Sequence, residues 1–291
     1  APDALELVRG DLEDPGSFEA ARKGCDHVIH TASAVVLTAK DPQREIVDVA
    51  VEGAKNVIRA ARDSGTVRRV VVTSSVAAVA GDEKPQAYVF RESEWNATAT
   101  VKNDAYATST VQAERAARAL AEEPGGRKID FVAILPSLVL GPVMTEQHLR
   151  TSPAILFELM RGKWPGVPNL YFQVVDVRDL AKVHVMALEK DKPAPRYIAT
   201  SAPIAVREMA AALRETFPDA KVPKLPLPDI LMYATAIFEP RLTFAFLRRN
   251  LGAAPVFDNA LAKTELGLTF RSPVDSVLDT GRSMVDGGYL K

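Results

Sequence analysis

Arg69-Val70-Val71-Val72-Thr73-Ser74-Ser75-Val76 and, further along, Asn103-Asp104-Ala105-Tyr106-Ala107-Thr108-Ser109-Thr110-Val111-Gln112-Ala113-Glu114 decide the fold. The first stretch is an apolar run of strand length ending in hydroxyl residues, the pattern of a parallel strand buried on both faces. The second opens a helix, which Asn103 or Asp104 can cap and which Ala107, Val111, Ala113, Ala116 and Ala117 carry on. Tyr106 falls in its first turn. Thr110 lies one turn later on the same face, because residues i and i+4 stack along a helix.

Working outward, the same alternation repeats. Leu5 to Leu12 is a short strand ending in an acidic turn, and Asp14 to Lys23 fits a short helix with Asp14 as cap and Pro15 at its first position. His27 to Ser33 is a second strand running into a small-residue loop. Asp41 to Ser64 is a long helix with Ile46, Val49, Ala50, Ala54, Val57, Ile58 and Ala61 at helical spacing, closed by Gly65. Beyond the Tyr106 helix, Ile129 to Leu135 is a strand halted by Pro136. Val174 to Leu180 opens a helix running to about Glu189, Arg196 to Thr200 is a late strand, and Val206 to Glu215 is a helix. Prolines crowd in after Phe217, Arg241 to Asn250 reads as helix, and Asp258 to Tyr289 reads as short helices on a loop-rich lobe. Strands alternating with helices predict a parallel sheet wound by right-handed crossovers, with helices on both faces. The expected division is a core of residues 1–140, with 174–200 returning to it, and a smaller lobe of 141–173 and 201–291.

Composition narrows the function. In 291 residues, 47% are hydrophobic and 25% charged, which is the make-up of an ordinary globular protein. The 36 basic and 37 acidic side chains leave a net charge of −1, and no basic run points to nucleic acid. Cys25 is the single cysteine, so no internal disulfide forms, which fits a reducing, cytoplasmic setting. No apolar run approaches the ~20 residues that span a bilayer, and the start carries no secretory pattern. His27 and His30 are three apart on a strand and face opposite sides, and no Cys/His cluster exists, so no metal site is expected. The absence of a Gly-x-Ser-x-Gly turn argues against a Ser-His-Asp hydrolase.

A strand ending in Thr73-Ser74-Ser75, followed by a helix opening on Tyr106, resembles the catalytic core of the extended short-chain dehydrogenase/reductase family. Within it, the nearest likeness is to the dihydroflavonol-reductase-like aldehyde and ketone reductases. Gly10-Asp11-Leu12, His30-Thr31-Ala32-Ser33, Leu135-Pro136-Ser137-Leu138-Val139-Leu140-Gly141-Pro142 and Val175-Asp176-Val177-Arg178-Asp179-Leu180-Ala181 extend it over most of residues 5–190. The resemblance implies a Rossmann-like fold, an NADP (or NAD) cofactor and a small-molecule carbonyl substrate in a monomer or homodimer. It assigns Ser75 to orienting the carbonyl oxygen and Tyr106 to giving it a proton. It places Asp11 and Leu12 at the adenine, Thr31, Ala32 and Ser33 at the phosphates and ribose, and Thr73, Tyr106, Pro136 and Leu138 near the nicotinamide. His30 is expected to be a packed core histidine.

Two departures from the family pattern follow. The family has Tyr-x-x-x-Lys, and this chain has Thr110 in place of the lysine that charges the site and grips the ribose. An ordinary tyrosine pKa is about 10, and a hydroxyl carries no charge to lower it. The sequence also holds neither Gly-x-Gly-x-x-Gly nor Gly-x-x-Gly-x-x-Gly, so the expected fold lacks the first βαβ unit, most simply through truncation. The expected function is therefore a carbonyl reductase type impaired as it stands. A non-catalytic scaffold or binding protein that kept the fold, and a nucleotide-sugar-type epimerase or dehydratase, are the alternatives.

Overall fold

The computed structural model describes residues 5–33, 39–81, 84–85, 88–236 and 244–290. The first strand is β1 (His27–His30), followed by a π-helical turn, Gln43–Asp48, leading into α1 (Val49–Asp63). Gly65 ends α1 with φ +72°, the left-handed conformation that favours glycine. Next come β2 (Arg69–Thr73), a short 3₁₀ turn at Val76–Ala78, β3 (Val89–Phe90), α2 (Val101–Glu122), β4 (Asp130–Pro136) and β5 (Leu138–Leu140). Then follow α3 (Ala154–Met160), β6 (Val167–Pro168), β7 (Tyr171–Asp176), α4 (Val177–Glu189), β8 (Arg196–Ala199), β9 (Pro203–Ala205) and α5 (Val206–Thr216). The chain closes with β10 (Pro226–Leu227), α6 (Asp229–Thr235), α7 (Phe244–Asn250), β11 (Val256–Phe257), α8 (Ala260–Leu266) and α9 (Pro273–Asp286).

The main sheet is parallel, in the order β1-β2-β4-β8. Its strands alternate between two cores, as a strand buried on both faces must. Val70, Val72, Phe131, Ala133 and Leu135 pack under α1 and α2. Val71, Val132, Ile134, Tyr197 and Ala199 face α4 and α8. The second sheet, β5-β7-β9, belongs with α3, α5 and α9 to a third apolar core. The expected parallel sheet with helices on both faces is the fold observed. No described helix is long and apolar enough to cross a membrane.

Several local expectations are corrected. Residues 5–10 are irregular, with Leu5 75% and Leu7 89% exposed. A strand needs a neighbour, and this segment docks on α1 instead: Asn56 Nδ2 donates to the Leu12 carbonyl at 2.9 Å, and Leu12 covers Gly53. Asp14 to Lys23 is a run of turns rather than a helix. Asp11 and Asp14 take the amides of Glu13 and Gly16, each at 3.0 Å, and such local bonds compete with the helical ladder. Pro136 ends β4 as its last member, paired with Ala199. Residues 174–176 finish strand β7, and α4 begins after Asp176, whose side chain caps it by accepting the Arg178 amide at 2.9 Å. Ala34 and residues 241–243 lie outside the described residues.

Candidate active site

The β1, β2 and β4 registers bring their carboxyl ends together: His30 lies beside Val72, and Thr73 beside Ile134. Ligands of open α/β sheets bind at this end. Three of the predicted groups meet here, namely Thr31-Ala32-Ser33 after β1, Thr73 to Ser75 closing β2, and Pro136 to Leu138 closing β4. Thr31, Ala32 and Ser33 are exposed, and Pro136 is buried with Leu138 half-buried. Asp11 and Leu12 stand apart on α1, in a turn that Ser17 closes by donating to the Asp11 carbonyl at 2.7 Å.

Ser75 is buried in extended backbone, and its Oγ accepts the Ala77 amide at 3.2 Å, capping the 3₁₀ turn. Among the described residues, its proton therefore stays available to another acceptor. Thr73 Oγ1 lies 2.7 Å from Nε2 of His184, whose Nδ1 lies 2.9 Å from the Leu180 carbonyl. The carbonyl only accepts, so Nδ1 carries the proton and Thr73 donates to Nε2. Burial lowers the pKa of His184, which keeps it neutral in that role. Ser74 turns the other way and donates to Glu114 at 2.6 Å.

Tyr106 is 45% exposed on α2. The helix has two starts. Thr100 and Asn103 form a capping box at Val101, the backbone turns non-helical at Asp104 (φ −158°, ψ 83°), and Asp104 Oδ1 then caps the continuation by accepting the Ala107 amide at 2.9 Å. Both candidate caps thus take part, with Thr100 added. Thr110 Oγ1 donates to the Tyr106 carbonyl at 2.9 Å, and Ser109 Oγ does so at 2.8 Å. The Thr110 hydroxyl is spent on the backbone of its own helix. Among the described residues nothing hydrogen-bonds the Tyr106 hydroxyl, and no group of three or more His, Cys, Asp or Glu is placed to hold a metal.

Sequence reasoning missed Asn96, which ties the two halves of the site together. Its amide donates to the Ala77 carbonyl at 3.1 Å and its backbone to the Ala78 carbonyl at 2.7 Å, gripping the turn after Ser75. Its Oδ1 accepts from the Thr98 and Ala99 amides leading into α2. The available signal was an Asn placed before a Thr-rich helix start, where Asx turns favour it.

His30 is buried, as expected of a core histidine, and burial lowers its pKa from 6.5 to about 4. The unfolded chain therefore binds this proton at a higher pH than the folded one. The resulting stability is complete above about pH 6.5 and falls by up to ~3 kcal/mol as pH drops to about 4. His30→Gln is expected to flatten most of the loss of urea-unfolding free energy between pH 7 and 4.5, with His184 supplying a residual slope. An unchanged slope would place the effect elsewhere.

A parallel sheet covered by helices on both faces, with its strand ends gathered at one edge, defines the class as a Rossmann-like fold. Residues 3–197 match the 3-beta hydroxysteroid dehydrogenase/isomerase family. The chain is 33% identical over 300 residues to tetraketide alpha-pyrone reductase 1 of Arabidopsis thaliana, covering 100% of this chain and 82% of that protein. It is 33% identical over 230 residues to dihydroflavonol 4-reductase of Zea mays, covering 77% of this chain and 63% of that one. The crystal structure of yeast methylglyoxal/isovaleraldehyde reductase Gre2 complexed with NADPH superposes with a TM-score of 0.79 at 26% identity, covering 98% of this chain and 85% of that one. The chain belongs to the 3-beta hydroxysteroid dehydrogenase/isomerase family, an extended short-chain dehydrogenase/reductase of the dihydroflavonol-reductase-like group.

Proposed function

We propose that this chain is an NADP(H)-linked carbonyl reductase in design, acting on a small aldehyde or ketone, whose chemistry is impaired by Thr110. One observation carries the reading: Tyr106 stands on the helix packed beside the Ser75 turn, while the Thr110 hydroxyl is bonded back to the Tyr106 carbonyl. Ser75 would donate to the substrate oxygen and hold it, and Tyr106 would deliver the proton. With a neutral hydroxyl at Thr110, the phenol lacks the electrostatic help that a lysine at that position would give to losing that proton. A non-catalytic binding protein that kept the fold is the second reading, and the same back-bonded Thr110 supports it. The division into a core of 1–140 with 174–200 and a substrate lobe of 141–173 and 201–291 is part of this proposal, with α8 packing on the core, as is a monomeric or homodimeric state.

The residues present fit half of the cofactor. Thr73, Pro136, Leu138 and Tyr106 suit a nicotinamide and its ribose, Thr31, Ala32 and Ser33 a neighbouring ribose or phosphate, and Asp11 and Leu12 an adenine. When bound, NADPH supplies the hydride. The pyrophosphate half is unsupported, because no strand, glycine-rich turn and helix occur together among the described residues, and a helix N-terminus is what neutralises those phosphates. The 291-residue chain is accordingly expected to bind NADPH with a Kd weaker than about 100 μM, since such a contact set contributes several kcal/mol. Titration of NADPH fluorescence checks this, and micromolar binding would contradict it.

A further inference from the structure

We infer that Arg249 is a positioning residue for Tyr106, clasping the lobe to the two halves of the candidate active site. Its Nη1 donates to the Ala80 carbonyl at 2.9 Å, five residues beyond Ser75, and its Nη2 meets Asp104 Oδ2 at 3.1 Å, two residues before Tyr106. Arg249 itself sits on α7, which the lobe holds firmly. Leu247 is fully buried in the lobe core, the Gly252 amide donates to the Asn169 carbonyl at 2.8 Å, and Leu251 bridges to Leu170. One guanidinium thus joins the Ser75 loop, the start of the Tyr106 helix and the lobe.

The partner at Asp104 makes this more than a surface ion pair. Asp104 is where α2 leaves helical geometry, and its carboxylate is divided: Oδ1 caps the continuing helix at Ala107, while Oδ2 faces Arg249. The turn that carries Tyr106 is therefore fixed at its root by a carboxylate whose orientation Arg249 sets. Arg249 and Asp104 side chains are only 17% and 22% exposed, so water competes weakly for the pair. A planar fork reaching two partners in fixed directions is what arginine supplies and lysine does not. Movement of α7 with the lobe would be felt at Tyr106 and at the Ser75 loop together.

The consequence rests on Tyr106 being the proton donor of the proposed reaction, but its test needs no turnover. The six tyrosines are labelled as 3-fluorotyrosine, and the Tyr106 resonance is assigned by its loss in Tyr106→Phe. Arg249→Gln is expected to shift and broaden the Tyr106 line while leaving those of Tyr171 and Tyr197 in place. It should also speed amide exchange over residues 105–109 by about tenfold, the scale of one lost charge-assisted bond. Asp104→Asn, which keeps the Ala107 cap, should reproduce the effect. At the Tyr106 line the double variant should add little, because the Arg249–Asp104 contact is the one both single variants remove, and Arg249→Lys should fall between. Uniform movement of all six lines with a lower unfolding midpoint would reduce Arg249 to a general stabiliser and overturn the inference, as would an unmoved Tyr106 line. In a chain made active, Arg249→Gln should lower kcat several-fold with KM nearly unchanged. Inactivity of every variant would count against the proposed function and leave the fluorine result to decide the clasp.

Discussion

Replacing Thr110 with lysine, in a chain carrying a glycine-rich βαβ unit ahead of Ala1, is expected to raise aldehyde reduction by at least ~100-fold, the scale of one preorganised electrostatic donor at a reacting centre. The physical reason lies in what the threonine hydroxyl does now. It donates to the Tyr106 carbonyl at 2.9 Å and so points along the helix backbone. A lysine at the same place extends beyond the backbone and brings an ammonium into the site. That charge favours loss of the phenol proton, so the gain must act through the phenol. Adding Tyr106→Phe to the lysine variant should abolish the gain. NADPH absorbance with an aromatic aldehyde follows both, and equal high activity with threonine and with lysine at this position would show that another cation does the work.

Arg196→Met is expected to cost about 3–5 kcal/mol of unfolding free energy, the usual penalty for stranding one member of a buried ion pair. Glu114 on α2 is 2% exposed, and Arg196 on β8 is 5% exposed. Arg196 Nε lies 2.8 Å from Glu114 Oε1, and Nη2 donates to Oε2 at 3.3 Å. The Nε contact lies off the line of the N–H bond, so it is coulombic rather than directed. Burial pulls the Arg196 guanidinium below its usual range, and the Glu114 charge opposes this. Arg196 also stacks 4.0 Å over the Trp95 ring and holds the Glu94 carbonyl at 2.6 Å. Without it, Glu114 keeps Ser74 and a looser pairing with Arg118 at 3.5 Å, which places the loss toward the lower end of the range. Urea unfolding measures it. A change below ~1 kcal/mol, the value of a surface pair, would mean that water enters freely when the arginine goes.

The strands that carry the site were legible because burial on both faces writes itself as an unbroken apolar run, as in Val70 to Val72 and Phe131 to Leu135. Their helices were legible through 3.6-residue spacing and through punctuation such as Gly65. Leu5 to Leu12 misled for the complementary reason: its alternation is that of a strand, but a strand is a property of a pair, and no partner lies beside it among the described residues. Asp14 to Lys23 misled because Asp11 and Asp14 satisfy nearby amides in turns, and a helix of that length gains too little to compete. Ser75 and Tyr106 were singled out only through resemblance to a family, since neither periodicity nor composition distinguishes a reactive tyrosine from a packed one. Arg249, and with it the second role of Asp104 beyond capping, escaped because their pairing is a contact far apart in sequence. Arg249 reaches across 145 residues to Asp104, and no local pattern encodes that.

The central claim is that Tyr106 is a reductase tyrosine left without its cation. It is tested most directly by the steady-state rate of NADPH oxidation with an aromatic aldehyde at saturating cofactor, measured in a chain carrying a glycine-rich βαβ unit ahead of Ala1, otherwise unsubstituted, and in its Tyr106→Phe variant. The two rates are expected to agree within about twofold, because a phenol with threonine in place of the lysine contributes little of the ~10²–10⁴-fold expected of a working general acid. A rate for the otherwise unsubstituted chain that falls a hundredfold on Tyr106→Phe would contradict the central claim.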